Sequence, residues 1–145
     1  MRTAIIHHPI YEKHDTGPGH PETSERYRVV IDALQNDKKL WDDLIEIMPE
    51  KAQQGVVQAA HTKEHFQRVE NAFAAGHDRL DADTTISMKS FDASLFAAGG
   101  ACRAVDAVMQ WRYSPVMLNG TPVPFILTVV VSFSVPAGKT PGAAY

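Results

Sequence analysis

From Ala107 to Tyr145 the chain has no Asp, Glu or His, although all 17 acidic residues and all seven histidines of the sequence lie before that point. That is a compositional break at about Trp111. The last quarter is rich in Pro, Gly, Val, Ser and Thr, with one strand-like run, FILTVVVSFSV, at 125–135. This divides the sequence into an α/β segment at 1–110 and a β-prone tail at 111–145. An apolar tail of this kind has to pack against something, so it is expected to complete a sheet or to form an interface.

Before the break, strand and helix signals alternate. TAIIHH reads as a first strand, and Pro9 and DTGPGHP then impose a long loop. A helix follows, capped by Thr23 or Ser24, with Glu25 in its first turn and Tyr27, Val30, Ile31 and Leu34 at helical spacing. LIEIMP is a second short strand, ended by Pro49. Thr62 caps another helix with Phe66, Val69 and Phe73 on one face, stopped at Gly76. After the polar loop LDADTTISMK, Ser90 opens the longest helix, whose expected core stripe is Leu95, Ala98, Cys102, Val105 and Met109. Alternation of this kind predicts an open α/β sheet with flanking helices.

Composition excludes several classes of function. With 44% hydrophobic and 21% charged residues, the 145-residue chain is of the soluble globular type. A formal net charge of −3 gives no electrostatic reason to expect nucleic acid or an anionic membrane as partner. One cysteine, Cys102, rules out an internal disulfide framework and a Cys-rich zinc site, and fits a reducing cytoplasm. Its place on the expected core stripe predicts an inert thiol. The apolar run in MRTAIIHHPIY is too short for a signal peptide core, and no stretch reaches the length of a membrane span. The expected location is the cytoplasm.

Three features invite a chemical reading. His61, Glu64 and His65 spell H-x-x-E-H, in which two histidines four apart share a helix face and could bind one metal, with Glu64 as base. A solvent-facing helix start is preferred, because no acid elsewhere stands out as a third ligand. His7 and His8 end a strand but point to opposite faces, which favours structural or rim roles over a shared metal. Gly17 and Gly19 lack the partners of a phosphate loop, and no G-x-S-x-G elbow is present. Gly99 and Gly100, in mid-helix, are better explained by close helix packing than by chemistry.

Three segments, in order, resemble one family. GHPETSERYRVVIDAL is similar to the HPE-x-x-ER helix start of class II-type histone deacetylases and acetylpolyamine amidohydrolases. VVQAAHTKEHFQRVENA resembles their next helix, and LDADTTISMKSFDASLFAAGGACRAVDAVM their D-x-D-T-x-x-S loop and long Ala-Ala-Gly-Gly helix. The likeness runs from residue 3 to about 110. It makes H-x-x-E-H the capped start of an ordinary family helix. It also implies an arginase-like α/β fold with two pocket-rim loops, His8–His20 and Leu80–Lys89. On this resemblance Arg26 lines an internal cavity beneath the zinc and is expected to be buried with polar partners, while Asp81 and Asp83 contact substrate at the pocket mouth.

The same resemblance implies a zinc ion held by an Asp-x-His pair and a further Asp, and catalytic histidines after R-P-P-G-H-H, all downstream of the long helix. Here that region has no Asp and no His. VPAGKT at 135–140 puts Lys139 and Thr140 where histidines would stand. Without ligands or a general base the family's chemistry is not expected, and no cofactor is expected. The reading is a truncated, non-catalytic deacetylase-like domain with a binding or assembly role, self-associating as a two-fold homodimer through the 123–136 segment. The alternative is a metal-dependent hydrolase with a rebuilt or partner-completed site, using His61, His65 and an acid such as Asp81.

Overall fold

The computed structural model describes residues 3–110 and 116–123. The chain divides into two compact units, Met1–Trp111 and Arg112–Tyr145. FILTVVVSFSV, and with it nearly all of the expected interface segment, lies outside the described residues.

In the first unit, β1 (Thr3–Ile6) leads through a short 3-10 helix (Pro9–Lys13) and a loop to α1 (Ser24–Asn36) and α2 (Lys38–Asp43). The chain then returns as β2 (Leu44–Ile47), which pairs parallel with β1 in the register Thr3↔Leu44 to Ile6↔Ile47. Parallel neighbours need a long crossover, and α1 and α2 provide it. α3 (Gln54–Gln58), α4 (Lys63–Ala74) and α5 (Ser90–Gln110) follow.

Local chemistry sets the helix ends. Thr62 accepts a hydrogen bond from the His65 amide at 3.1 Å, as its predicted capping role requires. Thr23 stands at the N-cap of α1 without such a bond. Gly76, at φ +70°, closes α4, with its own amide on the Phe73 carbonyl and the His77 amide on the Ala72 carbonyl. In the second unit, β3 (Val116–Leu118) and β4 (Thr121–Val123) form an antiparallel hairpin about Asn119 and Gly120, both at positive φ.

The core is small. It is made by Ala52, Phe66, Ala72, Ile86 and Ala93, and no described side chain is wholly enclosed. Two expected stripes are corrected. On α1, Tyr27, Ile31 and Leu34 are half-buried but Val30 is exposed. On α5, Cys102 is exposed, so its inertness does not follow from burial, and Val105 and Met109 are 50% and 80% exposed. The buried positions of α5 are Ser90, Ala93, Gly99 and Gly100. Small residues win here because the neighbouring chain comes in at backbone distance. The Ala52 amide donates to the Leu95 carbonyl at 2.9 Å, and a Cβ on Gly99 would collide with the Glu50 carbonyl oxygen. The glycines do serve close packing, but Gly99 receives an extended segment rather than a second helix. Among the described residues no helix is long and apolar enough to cross a membrane.

Candidate functional site

The two loops expected at a pocket rim both border a cavity of about 500 Å³, between the 14–22 stretch, α4, the 80–86 loop and the start of α5. Its apolar floor includes Phe66, Val69 and Phe73, the face predicted for α4, together with Phe91. Phe91 packs on both Phe66 and Phe73, with ring centres 5.8 and 5.3 Å apart. Polar groups gather at the rim. His14, His20, His61, His65, Glu22 and Asp83 all line it.

Loop one is fastened to α5 by a compact polar cluster. His14 Nδ1 lies 2.6 Å from the Ser90 hydroxyl, the Ser87 hydroxyl donates to the Lys13 carbonyl at 3.1 Å, and the Asp15 amide donates to Ser87 Oγ at 3.1 Å. The two serine hydroxyls are 3.0 Å apart. Glu22 is held in place through its carbonyl, which accepts from the buried Thr16 hydroxyl.

Loop two is a tight turn. The Leu80 amide donates to the Thr84 carbonyl and the Ile86 amide to the Asp78 carbonyl. Asp81 folds back on this turn and accepts from the Asp83 amide at 3.0 Å. Hydrogen bonding from the Thr84 side chain, then from the Asp83 backbone, holds its carboxyl below the usual range. Asp83 lines the cavity, whereas Asp81 does not. Both are exposed.

Arg26 corrects an expectation. It is exposed, not buried, and no hydrogen bond or ion pair engages its side chain among the described residues. It borders a second groove, of about 510 Å³, with Tyr11, Tyr27 and Val30. This groove and the cavity share His14, Glu22, Ser90 and Ser94, so they adjoin. The α1 face bearing Arg26 also bears the exposed Val29 and Val30, and no described element covers it.

β1 stops at Ile6, so His7 and His8 follow the strand rather than end it, and the two side chains meet different partners. His8 stacks on Phe96 at 4.0 Å, and its Nδ1 accepts from the Ile10 amide. His7 is buried between the Tyr27 hydroxyl, 2.9 Å from Nδ1, and Glu46 Oε1, 3.0 Å from Nε2. Burial, reinforced by the charge of Glu12, pushes the Tyr27 phenol up to about 12. Tyr27 therefore stays a neutral donor. The His7 ring thus bridges the Tyr27 hydroxyl and the Glu46 carboxylate through its two nitrogens. This relay pins α1 to both strands, and the sequence reading missed it. Tyr27 four residues past its cap was the available signal, read there only as a core position.

H-x-x-E-H is split by the helix. His61 and His65 line the cavity, while Glu64 lines a different groove with Lys63 and Gln67. The presumed base thus does not share a site with the presumed ligands.

An α/β segment with two rim loops beside an apolar cavity is the opening part of an arginase/deacetylase fold. The histone deacetylase domain model matches residues 20–123, and the chain belongs to that family. A probable deacetylase of Archaeoglobus fulgidus is 37% identical over 111 residues, covering 76% of this chain and 31% of that protein. A probable deacetylase of Methanothermobacter thermautotrophicus is 31% identical over 114 residues, covering 76% and 33%. The crystal structure of the HDA15 HD domain superposes with a TM-score of 0.66 at 20% identity over 76% of this chain and 33% of that one, which shows the fold. The chain spans about a third of the length of the curated relatives just described.

The family implies zinc, and the residues present do not fit it. Among the described residues no three His, Cys, Asp or Glu side chains converge to hold a metal ion. Residues 111–145 contain none of these types. A closed or catalytic zinc site needs at least three such ligands.

Proposed function

We propose that this 145-residue chain acts as a non-catalytic deacetylase-family segment that binds or assembles, and that it pairs with a second copy of itself. The observation carrying this reading is the donor inventory: after Asp106 there is no side chain able to ligate zinc or to take a proton from water near neutral pH. The exposed apolar residues Val29, Val30, Val105 and Met109 support self-association, since a monomer would leave them in water. So does β1–β2, a sheet of two strands among the described residues, which leaves strand edges open to pairing.

The test is direct. Purified protein with added zinc should not hydrolyse acetyl-lysine or acetylpolyamine substrates. Turnover above a metal-only control, abolished by His61→Ala or His65→Ala, would overturn the non-catalytic reading. Light scattering should give a dimer, and removing the residues after Gln110 should give insoluble or unfolded material. A stable monomer at high concentration, with a folded truncation, would refute the assembly.

A further inference from the structure

The serines that fasten loop one also decide where the hydrogens of that cluster lie. Three contacts run in series: His14 Nδ1 to Ser90 Oγ at 2.6 Å, Ser90 Oγ to Ser87 Oγ at 3.0 Å, and Ser87 Oγ to the Lys13 carbonyl at 3.1 Å. Each contact needs one hydrogen, and the two hydroxyls supply only two. The Lys13 carbonyl can only accept, so the Ser87 hydrogen goes to it. The Ser90 hydrogen must then go to Ser87, and the remaining one comes from His14 Nδ1. The Ser87 and Asp15 amides donate to Ser90 Oγ and Ser87 Oγ respectively. Every hydrogen and lone pair of both hydroxyls is thereby engaged. Ser90 has no hydrogen to give His14, so the two are not a nucleophile and its base.

A neutral ring that carries its hydrogen on Nδ1 has its lone pair on Nε2. His14 lines the cavity, and its Nε2 has no protein hydrogen-bond partner among the described residues. Nor is that atom sealed from solvent, since Gln58 Nε2 is the described side-chain atom buried without a partner. The cavity floor is aromatic, with Phe66, Phe73 and Phe91. Its acidic liners are Glu22 and Asp83, and among the described residues no Lys or Arg lines it. Those acids repel an anionic ligand. Both are exposed, so water screens them and a positive charge gains little there. The ligand that suits these walls is therefore neutral, flat and apolar in body, with one hydrogen-bond donor at its end.

We propose that the cavity is a binding site for a small neutral phenol, with its ring against the phenylalanines and its hydroxyl donating to His14 Nε2. A volume of about 500 Å³ holds such a ring with a short substituent. Ser90 and Ser87 act through His14 as positioning residues, because their hydrogen order fixes which ring nitrogen accepts. The inference deepens the binding reading proposed above, and rests on it only in taking the cavity as a place that binds its ligand without turning it over.

The experiment is NMR of the full chain labelled with ¹⁵N in its histidine rings. At about pH 8.5, well above the ordinary imidazole value, His14 should show a protonated Nδ1 and a bare Nε2. This readout needs no variant, so no folding defect can confound it. Titration with 4-ethylphenol at about pH 7, where a phenol is neutral, should shift the His14 and Phe91 ring signals to saturation. 4-Ethylanisole, which keeps the shape but has no donor hydrogen, should bind about tenfold more weakly. 4-Ethylbenzoate should not saturate the site. In His14→Phe the phenol and the anisole should bind alike, and Glu64→Gln, in the other groove, should leave phenol affinity unchanged. A hydrogen on Nε2 rather than Nδ1, equal affinity for phenol and anisole in the unmutated chain, or discrimination persisting in His14→Phe would each overturn the assignment. Absence of phenol binding would overturn the site and leave the self-association and non-catalytic readings to their own tests. A monomeric or catalytically active chain that still prefers phenol to anisole would sink those readings and keep the site.

Discussion

Replacing Gly99 with alanine should weaken the fold by about 2–3 kcal/mol, while the same change one residue later should strengthen it. A Cβ at position 99 would overlap the Glu50 carbonyl oxygen and lie 3.0 Å from the Ala52 amide nitrogen, all backbone atoms that cannot rotate aside. Overpacking costs about 1–3 kcal/mol, and an unyielding neighbour places this case at the upper end. Displacing the segment also strains the 2.9 Å bond from the Ala52 amide to the Leu95 carbonyl, a loss of about 1 kcal/mol. Against these stands the gain of about 1 kcal/mol in helix propensity. At Gly100 the nearest atoms to a new Cβ are Ile6 Cγ2 and Tyr11 Oη at 3.5 Å, ordinary contact distances. Gly100→Ala should therefore keep most of the propensity gain, about 0.4–1 kcal/mol. Urea unfolding followed by circular dichroism measures both. For a slope of about 1.5 kcal/mol per molar, the two midpoints should separate by about 2 M. Equal midpoints, or a stabilised Gly99→Ala, would refute the backbone-contact argument.

Thr62→Ala should cost about 1 kcal/mol through loss of its cap bond, whereas Thr23→Ala, which has none, should be nearly neutral in the same assay. Tyr27→Phe leaves the buried His7 Nδ1 without its partner and should cost about 1–3 kcal/mol. Arg26→Ala, on an exposed side chain, should change stability by less than about 0.5 kcal/mol; a larger loss would mean that the residue is engaged after all. Asp92 lies 2.5 Å from Lys51 and its carboxyl is depressed, chiefly by that hydrogen bond. A depressed folded value means stability present above the unfolded carboxylate value and lost as pH falls through the folded one. Asp92→Asn should remove that acid-side increment, which exposure of Lys51 limits to about 1 kcal/mol or less, and a pH-stability profile identical to wild type would refute it.

Much of the fold was legible in the residues, and where legibility failed the cause is physical. β1, α1, β2, α4 and α5 each announce themselves by apolar period, a capping residue or a terminating Gly or Pro. The 3-10 helix at Pro9–Lys13, α2 and α3 are five or six residues long, too short for a period to show. The α5 stripe was misplaced because periodicity counts apolar side chains, whereas the buried positions are the small residues Ser90, Ala93, Gly99 and Gly100, with backbone at contact distance from Gly99. Arg26 was carried over from the family resemblance, and burial depends on elements outside one helix, which no local pattern encodes. His61 and His65 were legible as a pair from their spacing. That Glu64 lines a different groove was not legible, because spacing alone does not say which side of the helix start borders the cavity.

The serine cluster that fastens loop one has a consequence for how this protein tolerates change in length. By pinning residues 13–15 to the start of α5, it divides one long excursion between β1 and α1 into two shorter ones. Each half is a separate polymer closure, and the entropy of one is insulated from the other. Insertions at Gly17–Gly19, exposed or half-exposed and in positive-φ turns, lengthen only the second closure. Even doubling it adds only about 0.6 kcal/mol. A single residue added between Lys13 and Asp15 would shift the register of every bond in the cluster and release both halves into one loop. Length variation in this protein is thus expected to collect on the far side of the pin, where the chain can absorb it.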